Sequence, residues 1–148
     1  MKTIVIYDSQ YGNTEQIAKA IGGGIGEDAK VVKVGEANVA DLGFYHMIII
    51  GSPTQGGQFT VAIQAFLGKI PKEALKNKRV AVFDTRLKMK LVKLLGYAAG
   101  RIGKKLVEKG GNLVAPEEGF LVKSAKGPLV DGEIERAAAW AKGIAEKG

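Results

Sequence analysis

At 148 residues the chain is long enough to bury a substantial core within one ordinary domain, expected to span residues 1–148. It has no cysteine and a single histidine, His46, so disulfides, thiolate metal sites and thiol catalysis are excluded, and neither a histidine-ligated metal nor a Ser-His-Asp triad is expected. The net charge of +7 is concentrated: residues 71–110 hold twelve Lys and Arg against three acidic residues, while residues 1–70 and 111–148 are each close to neutral, and a local field of that kind steers partners.

The chain opens on the apolar run Thr3-Ile4-Val5-Ile6-Tyr7, which reads as a strand. It empties into the polar loop Asp8-Ser9-Gln10-Tyr11-Gly12-Asn13-Thr14, and a helix follows with Ile17, Ile21 and Ile25 at helical spacing. Strand, tight polar loop and helix N-terminus together make an anion site, because first-turn N–H groups and the positive end of the helix dipole face the loop. The loop has no Lys or Arg. A phosphate held there would rest on amides and on the hydroxyls of Ser9 and Thr14, with Gly12 allowing close approach. The alternative is that Asn13 or Thr14 simply caps the helix.

A short second strand, Ala29 to Val34, has Lys30 and Lys33 near its ends and is expected at an outer position. After a brief turn at Val39 to Phe44 comes His46-Met47-Ile48-Ile49-Ile50-Gly51, a strand buried on both faces. It leads into a second polar loop, Ser52-Pro53-Thr54-Gln55-Gly56-Gly57-Gln58-Phe59, and then a helix with Ile63, Phe66, Leu67 and Ile70 inward, stopped near Pro71. A fourth strand, Arg79 to Phe83, ends in Asp84-Thr85-Arg86.

The next helical stretch sets Leu91, Leu95, Ala98, Ile102 and Leu106 opposite Arg101, Lys104, Lys105 and Lys109. A fifth strand, Asn112 to Ala115, is interrupted at Pro116 and resumes at Phe120 to Lys123, which predicts a bulge or an edge. The last helix follows Asp131 with Ile134, Ala137, Ala138, Ala141 and Ile144 inward and Trp140 at the border of that stripe. Alternation of strands and helices over short connections predicts an α/β fold, a parallel sheet covered on both faces. The loops after strands 1 and 3 would meet where the winding reverses, the usual ligand crevice of such sheets.

On the segments Ser9 to Thr14, Gly51 to Gly57 and Phe83 to Arg86 the chain resembles the flavodoxin family, over essentially its full length and in its short-chain form. The resemblance implies a three-layer, doubly wound sandwich with a five-stranded parallel sheet in the order 2-1-3-4-5. It also implies FMN as cofactor, with the phosphate in the first loop and the isoalloxazine ring between the second and third. The site residues it marks are Ser9, Gln10, Tyr11, Gly12, Asn13, Thr14, Ser52, Pro53, Thr54, Gln55, Gly56, Gly57, Asp84, Thr85 and Arg86, with no catalytic side chain and no metal ligand.

Two features depart from the family pattern. Gln55 occupies the second loop where an aromatic commonly stacks on the ring, and the third loop offers no aromatic either, at a cost of about 1 kcal/mol per missing contact. Phe59 would supply a ring edge or pack in the core. The chain is also basic where flavodoxins are typically acidic; Arg86 over the ring edge would favour negative charge there and raise the midpoint, whereas an Arg86 paired with Asp84 or turned to water would not.

The expected function is an FMN electron carrier that docks an acidic redox-partner protein through the basic block, as a cytoplasmic monomer without a membrane span. The alternatives are a flavin-dependent oxidoreductase acting on a quinone or porphyrinogen, and a non-redox binding module. A phospho-receiver would need Asp where the chain has Gly51-Ser52, and neither G-x-G-x-x-G nor G-K-[ST] occurs. No nucleic-acid partner is expected, since no recognised motif or aromatic platform accompanies the basic block.

Overall fold

A computed structural model describes residues 2–88 and 96–147. Leu91 and Leu95, predicted on the inner side of the fourth helical stretch, lie outside the described residues, as do Lys90 and Lys93 of the basic block. The elements run β1 (Thr3–Tyr7), α1 (Asn13–Ile25), β2 (Ala29–Lys33), β3 (Met47–Pro53), α2 (Val61–Lys69), β4 (Arg79–Leu87), α3 (Ala98–Glu108), β5 (Asn112–Leu113), β6 (Glu118–Val122) and α4 (Glu133–Glu146), with 3₁₀ turns at Val34–Glu36 and Val39–Phe44.

The sheet is parallel in the order β2-β1-β3-β4-β5, and β6 also pairs with β4, so β5 and β6 are two segments of one edge. This is the five-position order 2-1-3-4-5 expected from the sequence. Thr3 to Tyr7 of β1 lie in register with Met47 to Gly51 of β3 and with Ala29 to Lys33 of β2, which is an edge.

Side chains alternate across a strand, and that divides the core into two layers. Ile4, Ile6, Ile48, Ile50, Val80 and Val82 pack with Ile63, Phe66 and Leu67 of α2 and with Ile102 and Leu106 of α3. Val5, Tyr7, Met47, Ile49, Ala81 and Phe83 pack on the other face with Ile17, Ala18 and Ile21 of α1 and with Ala137, Ala141 and Ile144 of α4. Gly51 in β3 is required by this second layer, since a Cβ there would strike the Phe83 ring. Trp140 and Phe120 meet Phe83 edge to face, so the tryptophan is core, as expected.

Several boundaries differ from the sequence reading. Asp84, Thr85 and Arg86 are not in a loop: β4 continues through Leu87 because β6 runs beside it, from Phe83 opposite Glu118 to Leu87 opposite Val122. Ser52 and Pro53 likewise belong to β3, in register with Asp84 and Thr85. The strand before Pro116 is only Asn112–Leu113, and pairing resumes at Glu118, two residues earlier than expected.

Ile134 is exposed, and the inward position at the start of α4 is taken by Glu133. That exchange has a polar cause: Glu133 accepts from Leu121 N–H (2.8 Å) and from Arg136, which in turn reaches Glu118 (2.6 Å) and lies over Phe120 (4.5 Å). Phe59 packs against the α2 side of the core, which is the packing role weighed for it.

Candidate functional site

The reversal of winding lies between β1 and β3. There the C-terminal ends of β1, β3, β4 and β6 surround a cleft of about 330 Å³, lined on one side by Ser9, Gln10, Tyr11, Asn13 and Thr14. Pro53, Thr54, Gln55 and Gly56 line a second side, and Thr85, Arg86, Leu87, Val122 and Ala125 complete it. The size falls within the range of about 300–1,000 Å³ typical of small-molecule sites.

The floor of the cleft is the start of α1. Gly12 is its N-cap residue, at φ 91°, and no side chain caps the helix. Neither Asn13 nor Thr14, the two candidates for capping, is a cap. Gly12 N–H donates to Ser9 Oγ (3.0 Å), and Ser9 N–H to Asp8 Oδ1 (2.9 Å), which curls the loop. The N–H groups of Asn13, Thr14 and Glu15 have no intrahelical acceptor by geometry.

The Tyr7 hydroxyl donates to Glu15 Oε1 (3.1 Å) and ties the first turn of α1 to β1. Burial first, and then the adjacent Glu15 carboxylate, raise the Tyr7 pKa above its ordinary value. Thr14 Oγ1 and Thr85 Oγ1 are 2.8 Å apart and both side chains are buried, so β4 and α1 are joined by hydroxyls across the cleft floor.

The mouth is bridged by two amides, Gln55 Nε2 donating to Gln10 Oε1 (2.6 Å). Gln55 sits in a tight reverse turn in which Gln55 and Gln58 exchange backbone hydrogen bonds of 2.9 and 3.0 Å. Gly57 carries no side chain into the cleft; its carbonyl accepts from Arg101 Nε of α3 (2.7 Å).

Four residues marked from the sequence do not line the cleft: Gly12, Ser52, Gly57 and Asp84. Ser52 Oγ accepts from Thr60 N–H (3.1 Å) and donates to Pro53 O (2.9 Å), which fixes the exit of β3. Asp84 is fully buried and accepts from Arg86 Nε and Nη2 (2.6 and 2.8 Å) and from Ala99 N–H at the start of α3 (2.9 Å).

Arg86 is therefore committed to Asp84, the second of the two arrangements considered for it. Its guanidinium also lies 3.4 Å from the centroid of the Tyr97 ring, and Gly119 leaves the room it needs. Tyr97, Leu87, Val122 and Ala125 are the residues that sequence reasoning missed around this wall. Leu87 was one step from the marked Arg86, but nothing in one dimension relates Tyr97 or Ala125 to the cleft.

The sequence model for the flavodoxin domain matches residues 4–106. A flavodoxin of Nostoc sp. is 29% identical over 112 residues, which cover 74% of this chain and 66% of that protein. The putative diflavin flavoprotein A 4 of Synechocystis sp. is 33% identical over 92 residues, covering 57% of this chain. The chain matches only 16% of the length of that much larger relative. Among solved structures, oxidised flavodoxin 2 of Bacillus cereus superposes with a TM-score of 0.84 at 25% identity, and each chain is covered over 100% of its length.

Proposed function

Because the chain belongs to the flavodoxin family, we propose that residues 1–148 act as a single, monomeric FMN-binding unit that carries electrons between redox proteins. Proteins of this family are FMN-binding flavoproteins of electron transport. The observation that carries the proposal is the uncapped start of α1 opening into a cleft at the winding reversal, the position for which flavodoxins are a standing illustration among open α/β sheets.

The residues present fit the cofactor. The amides of the first turn of α1, with the Ser9 hydroxyl, would hold the phosphate, and Pro53 to Gly56 and Thr85 to Leu87 would flank the ring. Bound FMN supplies the redox chemistry. The chain's own part is to orient it. The Thr14–Thr85 contact ties α1 to β4, Asp84 ties β4 to the start of α3 while holding Arg86, and the Gln10–Gln55 bridge spans the mouth beside which the ring would sit.

The proposed partner is a redox protein with an acidic surface. Arg101, Lys104, Lys105 and Glu108 of α3 line a groove with Gln58, Phe59, Val61 and Gln64, with three cations to one carboxylate, and this groove is continuous with the second loop through the Arg101–Gly57 hydrogen bond. No helix among the described residues is long and apolar enough to cross a membrane.

The test is a titration of the flavin-free chain with FMN, followed by visible absorption and by flavin fluorescence. The expected result is stoichiometric uptake with quenched fluorescence. A chain that leaves the FMN spectrum and fluorescence unchanged at high micromolar concentrations would sink the reading.

A further inference from the structure

The loop after β1 holds no cation, yet the tertiary structure brings one to its rim from the far end of the chain. Residues 124–127 form a turn closed by Gly127 N–H to Ser124 O (2.9 Å) and by the Ser124 hydroxyl to Gly127 O (2.6 Å), with Lys123 N–H to Pro128 O (2.8 Å) outside it. The turn leans on the beginning of α1. Gly127 has φ 100°, and a Cβ at that position would run into the Asn13 side-chain amide, so a glycine is what permits the approach.

Ala125 of this turn lines the cleft. The next residue, Lys126, is exposed, and its Nζ stands 5.9 Å from the centroid of the Tyr11 ring, itself part of the cleft lining. Among the described residues the neighbouring Lys123 pairs with Asp131 (3.9 Å), whereas Lys126 takes part in no ion pair. At the outer limit of a cation–π distance and in solvent, the contact with Tyr11 is weak. The ammonium is therefore parked beside the loop on a long flexible stem, available to an anion.

We propose that Lys126 is the phosphate-side cation of the cleft and that it strengthens the site's preference for phosphorylated over unphosphorylated flavin. The role rests on the reading of the cleft as an FMN site. It adds a side-chain charge, delivered from the turn after β6, to a phosphate position otherwise built from amides and hydroxyls. Only a ligand with a dianion at the start of α1 gains from that charge, so the contribution belongs to FMN and not to riboflavin.

The experiment compares FMN and riboflavin binding to the full chain stripped of flavin, by fluorescence quenching at low and high salt. Lys126→Gln is expected to raise the Kd for FMN about two- to fivefold at low salt, the scale of one exposed charge contact. It should leave the Kd for riboflavin unchanged and flatten the salt dependence of FMN binding. Lys126→Arg should keep most of the FMN affinity. Lys123→Gln, which removes an equal charge from the same surface, should change neither ligand's Kd.

Equal losses for both flavins, no loss for either, or a matching effect of Lys123→Gln would overturn the role while leaving the FMN reading in place. A wild-type chain that binds neither flavin removes both together.

Discussion

Arg86 carries the most consequential difference between residue type and residue role. As a lone cation beside a flavin it would raise the midpoint. In the fold it is half of a buried pair, with Asp84 fully enclosed and three N–H donors on its carboxylate. The guanidinium charge facing the cleft is thus compensated locally, and the pair's main effect is on the wall. Removing one partner of such a pair leaves an uncompensated charge inside, which costs about 3–5 kcal/mol, whereas removing both together is far milder. Arg86→Ala is accordingly expected to lose about 3 kcal/mol of stability in urea denaturation. The double variant Asp84→Asn/Arg86→Met should lose less than half of that. Additive losses in the cycle would reject the coupling.

At the scale of elements, α3 and α4 are each fastened to the sheet by polar contacts that no helical periodicity announces. The start of α3 has no cap of its own; Ala98 N–H donates to Thr54 Oγ1 (3.1 Å) and Ala99 N–H to Asp84 Oδ2 (2.9 Å), so its caps come from the loop after β3 and from β4. The start of α4 is fastened to β6 through Glu133, Arg136, Glu118 and the Gly119 carbonyl.

The Arg136 hydrogen bonds, helped by the Leu121 N–H and opposed by burial, lower the Glu133 pKa below its ordinary value of 4.5. Arg136 is held protonated by the same contacts. A carboxylate whose folded pKa is depressed contributes stability above its unfolded value and loses it as pH falls through the folded one. Glu133→Gln should therefore be less stable than the parent by about 1–3 kcal/mol at pH 7. The difference should shrink as pH drops below 4.5, read from urea midpoints across that range. A gap that is constant from pH 7 to pH 3 would show that the charge of Glu133 contributes nothing.

At the scale of the whole molecule the charge is one-sided in sequence, and the fold turns part of it into a surface. Lys104 and Lys105 project from α3 beside the second loop, and the Lys105–Glu108 pair at 3.9 Å is too exposed to offset much of the field. An acidic partner steered there should transfer electrons several-fold more slowly when the screening length falls from roughly 10 Å at 0.1 M to about 3 Å at 1 M salt. Stopped-flow kinetics with an acidic redox protein would check this, with Lys104→Glu/Lys105→Glu expected to slow the low-salt rate and lose its salt dependence. Rates indifferent to both salt and charge reversal would remove the docking surface.

Legible in one dimension were the alternation of strands and helices, the two-face burial of Ile48 to Ile50, the polar loops after β1 and β3 and the break at Pro116, because all of these depend on local periodicity and local turn chemistry. The first-loop residues Ser9 to Thr14 fall in the same class, since strand, loop and helix start are contiguous there. What waited for the tertiary structure is everything set by a neighbour distant in sequence. β6 extends β4 through Arg86, Asp84 neutralises that arginine, Tyr97 lies under it, and Ala125 and Lys126 arrive at the cleft from the turn before α4. Spacing along a chain reports the period of an element, but the partner of a side chain is chosen by packing across the sheet, and it is that choice which fixed the charge and the walls of the site.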